Sequence, residues 1–408
     1  MIPNRQEDSR THGKGRLGAL LEVLAVSTKL GLTSFGGPIA HLGYFHDEYV
    51  RRRKWMDERS YADLVALCQL LPGPASSQVG IGIGVSRAGL LGGLAAWLGF
   101  TLPSVVALVL FAYFVRGYDI GSAGWIHGLQ LVAVAIVAQA VTGMKRQLAP
   151  DRGRATVAVL AAAGVLLWQS VYTQALVIVA AGLVGWRIYR QEGAREEAPG
   201  LRVPVGRIGA VVCLALFAIL LAGLPLLRSF GDAARWLAMF DGFYRSGALV
   251  FGGGHVVLPL LERVVVPAGW VSLADFSAGY GAAQAVPGPL FTFAAYLGTM
   301  AGGIAGAAIA IVGIFLPAFL LVVGALPFWN ALRGSPSIRG ALAGINAAVV
   351  GILLAALYDP LWTTAVARPA DAALALLLFL LLAYWKLPPW AVVLAGAAGG
   401  MLLGLLPV

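Results

Sequence analysis

Long apolar stretches dominate this chain, separated by short clusters of charge. Leu90–Val115, Trp125–Met144, Ile208–Leu227 and Ile304–Trp329 are almost wholly apolar. A helix of about 20 such residues crosses a bilayer, so the pattern predicts membrane-spanning helices. Two further apolar stretches are interrupted in the same way. Residues 34–41 read SFGGPIAH and residues 250–257 read VFGGGHVV, and each is followed by a Pro-Gly-Pro, at 72–74 and at 287–289. Proline lacks a backbone donor and clashes with the preceding turn, while glycine admits conformations closed to other residues. Both motifs therefore predict broken helices.

The breaks belong to an internal repeat of about 215 residues. Phe35-Gly36-Gly37 aligns with Phe251-Gly252-Gly253, Trp55 with Trp270, Gln69 with Gln284, and Pro72-Gly73-Pro74 with Pro287-Gly288-Pro289. Phe100 then meets Phe315, and Ile126-His127-Gly128 meets Ile338-Arg339-Gly340. The reading divides the chain into a cytoplasmic tail (1–16), a first membrane repeat (17–190), a linker (191–207), an extra helix (208–228) and a second repeat (229–408).

Charge sets the two copies in opposite orientations. Arg51–Lys54, Arg59 and Arg87 flank the broken segments of the first copy, and Lys145, Arg146, Arg152 and Arg154 follow its fourth apolar block. Arg187, Arg190, Arg195, Arg202 and Arg207 fill the linker. The matching loops of the second copy are far less basic, with Glu262, Arg263, Asp275, Asp359, Arg368 and Asp371. Arg333 and Arg339 lie where the first copy has Arg116 and Asp119. Basic loops stay cytoplasmic, so the second copy is expected upside down, the odd crossing supplied by Ile208–Leu227. The N-terminus is then cytoplasmic and the C-terminus on the outer side. Leu17–Phe45 and Tyr61–Val85 each lie between basic clusters, which predicts re-entrant hairpins. The fold class is an all-α polytopic membrane protein with two inverted repeats, a layout characteristic of secondary transporters.

Irregular backbone survives in a membrane only where it lines a cavity or is buried in protein, and a helix starting there points bare N–H groups inward. The breaks would make a pocket suited to an anion near the midplane. The candidate substrate-binding residues are Lys29, Ser34, Phe35, Gly36, Gly37, Gln69, Pro72, Gly73, Pro74 and Ser76, with Arg245, Gly252, Gly253, Gly254, Gln284, Pro287, Gly288 and Pro289. Lys29 and Arg245 each precede a Phe-Gly-Gly by six residues. A cation at membrane depth is normally paired or functional, and the plainer alternatives are snorkelling or pairing with Glu22 and Asp241. The plainer reading of each break alone is a kink. Glu22, His41 and His255 are candidates for carrying a coupling proton, with a structural hydrogen bond as the alternative.

Mean hydropathy is +0.82, and a soluble domain cannot hide that much apolar surface. The net charge of +10 therefore marks loops rather than a nucleic-acid partner. Cys68 and Cys213 stand apart, without metal-ligand or disulfide spacing, and no cofactor is implied. HExxH and paired intramembrane aspartates are absent from the sequence, which argues against an enzyme.

SFGGPIAHLGYFHDEYV (34–50), ALCQLLPGPASSQ (66–78), VFGGGHVVLPLLE (250–262) and AAQAVPGPLFTFAAYLG (282–298) resemble signature segments of the chromate ion transporter family in its long, two-repeat form. The resemblance extends over essentially the whole chain. It implies a bacterial inner-membrane protein that exports chromate from the cytoplasm, confers resistance and draws on the proton motive force. The alternatives are a carrier for sulfate or a related oxyanion, the uptake direction included, and an anion channel. Expected partners are chromate, sulfate as its analogue, membrane lipid, and a second copy in a homodimer.

Overall fold

The structure, a computed structural model, describes residues 16–34, 37–117, 124–168, 173–189, 205–229, 235–251, 254–329 and 335–405. Among these residues there is no strand. The first copy comprises α1 (Arg16–Thr33), α2 (Gly37–Phe45, prolonged by a π turn over His46–Arg52), α3 (Glu58–Leu70), α4 (Ala75–Gly117), α5 (Gly124–Leu148), α6 (Arg152–Leu167) and α7 (Thr173–Ile188). After α8 (Arg207–Ser229) come α9 (Arg235–Ala248), α10 (Val257–Val265), α11 (Leu273–Ala283), α12 (Phe293–Ala325), α13 (Pro336–Ala356), α14 (Pro369–Ala383) and α15 (Pro389–Leu405). Five stretches among the described residues are long and apolar enough to cross a membrane: Ala75–Arg116, Gly124–Arg146, Arg207–Arg228, Leu290–Phe328 and Pro336–Ala365.

Local chemistry repeats between the copies. Asp57 caps α3 by accepting from the Ser60 N–H, and Ser272 caps α11 at the matching place by accepting from the Asp275 N–H. Each cap satisfies an end donor, an effect worth about 1 kcal/mol. The long helices α4 and α12 kink at equivalent points, at Ala88-Gly89 and Gly302-Gly303. Gly89 and Gly303 have φ of 70° and 65°, a region that side chains other than glycine's resist. The kinked helices run antiparallel. Phe111 packs on Tyr296, while Arg116 at the far end of α4 donates to the Thr299 carbonyl beside the α12 kink. At the other end, Val322, Val323 and Trp329 share an apolar core with Leu64 and Val85.

Close helix contact is made through small residues. A Cβ on Gly31 of α1 would lie 2.7 Å from the Phe100 carbonyl oxygen of α4, and one on Gly247 of α9 would lie 2.1 Å from that of Ile314 in α12. The fifth helix of each copy is exchanged. α5 packs on α14 and α15, with Gly124 and Gly128 against Gly400 and Gly396, and α13 packs on α6 and α7, with Gly340 and Gly344 against Gly185. α8 touches α9 and α12, and most of its surface is exposed, as suits a helix facing lipid.

The copies differ at one seam. α11 packs on α5, with Ser277 and Gly281 buried, and Gln130 of α5 donates to the Ala274 carbonyl. The equivalent face of α3, with Ala62, Ala66 and Gln69, is exposed.

Candidate functional site

The two breaks meet across the copies. α1 closes with the Ser34 N–H donating to the Leu30 carbonyl, and α2 begins at Gly37. The Ser34 carbonyl then accepts from the Gly288 N–H at 2.9 Å, so the first break is tied to the second Pro-Gly-Pro. The reciprocal bond runs from the Gly73 N–H to the Val250 carbonyl at 2.7 Å. Gly73 and Gly288 have φ of 114° and 102°, which turns each N–H toward the opposite copy and favours glycine there.

Beside the Ser34–Gly288 bond lies a cavity of about 100 Å³. One water needs roughly 10–15 Å³ of such space, so the cavity has room for a small polyatomic solute. Ser34, Gly37 and Gln139 line it from the first copy, and His255, Gln284 and Gly288 from the second. Pro38, Ile136, Ala283, Val286, Leu290 and Pro389 complete an apolar wall. Ser34 is fully buried, and its Oγ has no hydrogen-bond partner among the described residues; the same holds for the buried Nε2 of Gln284. Leaving a buried donor unpaired costs about 1–3 kcal/mol, which an acceptor in the cavity would recover. Gln139 Nε2 donates to the Leu382 carbonyl at 3.3 Å, and His255 Nδ1 lies 2.5 Å from the Tyr280 hydroxyl. No lining residue is Lys, Arg, Asp or Glu, so His255 is the ionisable group of the lining. The arrangement offers neutral donors around a small, partly open space.

The chain matches the chromate transporter family over residues 21–186 and 237–401, two stretches that start about 215 residues apart. The chain belongs to the chromate transporter family. Among similar proteins, a chromate transport protein of Pseudomonas aeruginosa is 29% identical over 90% of this chain and 87% of its own length. A chromate transport protein of Cupriavidus metallidurans is 28% identical over 93% of this chain and 92% of its own. A probable chromate transport protein of Synechococcus elongatus is 28% identical over 80% and 81%. No solved structure matches the chain. Family membership places it among multi-pass membrane transporters of chromate.

Of the expected site residues of this family member, Ser34, Gly37, His255, Gln284 and Gly288 come together at the cavity. Lys29 instead pairs with Glu48 at 3.0 Å, and Arg245 with Asp241 at 2.7 Å, the latter being one of the two pairings anticipated from sequence. Glu22 pairs with Arg53 at 3.1 Å and Arg87 at 3.6 Å rather than with Lys29. Gln69 is exposed at the end of α3. Pro72 and Pro74 offer their carbonyls to Gln78, and Ser76 Oγ sits 3.3 Å from His41 Nδ1. Gly254 opens the turn into α10, Pro287 precedes Gly288, and Pro289 accepts from Thr292. Phe35, Gly36, Gly252 and Gly253 lie outside the described residues.

Gln139 was not anticipated. It stands in an unbroken helix, α5, away from the glycine and proline breaks. Its signal was present all the same, a single amide inside the apolar run LVAVAIVAQAV, where polar side chains are expensive and usually serve a purpose.

Proposed function

We propose that this protein is a secondary carrier that exports chromate from the cytoplasm, with the dianion held in the cavity between the copies. The observation that supports this most is the junction itself, where two breaks from opposite copies border a polar space with unpaired buried donors. Neutral donors read charge and tetrahedral shape rather than the central atom, so sulfate is a competitor for the same space.

The interrupted segments are read as hairpins that enter and leave by one face. Glu22 near the start of α1 meets Arg53 beyond α2 and Arg87 of α4, which supports that reading. Arg53 and Arg87 also both lie over the Trp55 ring, at 5.5 and 5.3 Å. The antiparallel pairing of α4 with α12 supports inverted copies working by alternating access. An inside-negative potential favours outward movement of a dianion by about 4.6 kcal/mol per 100 mV, from ~2.3 per charge. The exposed Arg51, Arg52 and Lys54 would concentrate anions at the loading face.

Purified protein in liposomes provides the test. Radiolabelled chromate inside vesicles should leave when an outward-driving potential is imposed, and radiolabelled sulfate supplied outside should not enter unless the potential is reversed. Absence of chromate and sulfate movement in both directions would overturn the carrier reading.

A further inference from the structure

We infer that the duplicated chain builds one anion site rather than two, placed to one side of its internal symmetry, with Ser34, Gln139, His255 and Gln284 as its polar lining. This rests on the carrier reading above and sharpens it. The backbone presents two equivalent junctions, Ser34 with Gly288 and Val250 with Gly73. Their side chains are not equivalent. Where the first junction has Ser34, the second has Val250, fully buried and without a polar atom in its side chain. Gln139 corresponds to Gly351, a Cβ on which would lie 2.0 Å from the Ala158 carbonyl oxygen, so no donor fits there. His255 corresponds to Ile39.

The glutamines of the two copies also part company. Gln284 lines the cavity with its Nε2 buried and unpaired, whereas Gln69 is exposed. At the second junction a different glutamine intervenes. Gln78 Nε2 donates to the Pro72 carbonyl at 2.8 Å, and its Oε1 is buried without a partner. A buried bare acceptor repels an anion. The residue matching Gln78 in the second copy is Phe293, which offers the Pro287 carbonyl no donor. Duplication thus supplied two backbone frames, and side-chain divergence left one of them able to take an anion.

Calorimetric titration of the detergent-purified full chain with sodium sulfate, and separately with sodium chromate, tests this. The expected stoichiometry is one anion per chain. Gln284→Ala and Gln139→Ala should each weaken binding about tenfold or more, and Gln284→Glu, which keeps the shape and adds a negative charge, should abolish it. Gln69→Ala should change affinity less than twofold. Size-exclusion profiles establish that each variant is folded, and Gln284→Glu and Gln139→Ala give separate routes if one variant is lost. Two anions per chain, or a loss in Gln69→Ala equal to that in Gln284→Ala, would overturn the single site while leaving the carrier reading in place. No binding of either anion to the unaltered chain would overturn both.

Discussion

Replacing Arg245 by methionine should destabilise the protein while leaving anion affinity nearly unchanged. Asp241 is fully buried and accepts three hydrogen bonds, from Arg245 Nε at 2.8 Å, Arg245 Nη2 at 2.7 Å and Arg228 Nη1 at 2.8 Å. Arg245→Met removes two of the three and strands a carboxylate in the interior. Breaking a buried pair by removing one partner costs about 3–5 kcal/mol. Arg228 remains as a counter-charge, and Arg245 is 26% exposed, so the lower end, about 3 kcal/mol, is expected. For a large chain that corresponds to a fall in melting temperature of roughly 5 °C. Tryptophan fluorescence during thermal unfolding in detergent measures it. Adding Asp241→Asn removes the stranded charge and should restore part of the loss, a coupling that a double-mutant cycle isolates. If Arg245→Met keeps its melting temperature and loses sulfate affinity, the arginine belongs to the anion site and this reasoning fails.

Three other outcomes follow from the same contacts. A proton on His255 adds positive charge to the cavity, and a bound anion favours that form; sulfate affinity should therefore rise as pH falls, and His255→Gln should flatten the profile, which titration at several pH values checks. Gly288→Val places a branched side chain at φ of 102° and 3.0 Å from Ser104 Oγ, at a cost of about 1–3 kcal/mol in backbone strain alone; vesicle transport should be lost, whereas Gly143→Ala, which meets nothing within 4 Å, should be silent. In a Cys213→Ser background, Ala66→Cys should react readily with a water-soluble maleimide and Ser277→Cys should not, because the α3 face is open and its α11 equivalent is packed on α5; equal labelling rates would contradict that asymmetry.

Much of the architecture was legible because it is written in residues with strong local consequences. Phe-Gly-Gly and Pro-Gly-Pro announce their breaks wherever the chain places them, and the apolar run Ile208–Leu227 corresponds to α8. The charged residues were harder. Lys29 has two acidic residues within reach of a folded hairpin, and only the π turn over His46–Arg52 decides that Glu48 receives it while Glu22 goes to Arg53. The two Gln residues before the Pro-Gly-Pro motifs look interchangeable in sequence, yet one lines the cavity and the other is exposed, since burial depends on a helix far along the chain. The exchange of α5 and α13 was not foreseeable either. Gly124, Gly128, Gly396 and Gly400 promise close packing, but small residues do not name their partner.

That exchange determines which parts of the molecule can travel together. α5 is held by α14 and α15, and α13 by α6 and α7, through backbone contacts too close to slide past one another. A motion that parted the halves along the chain would have to tear both clasps open. The natural moving bodies are therefore mosaics of early and late sequence, and a protein cut at its linker would yield two fragments, each missing a helix that the other one keeps.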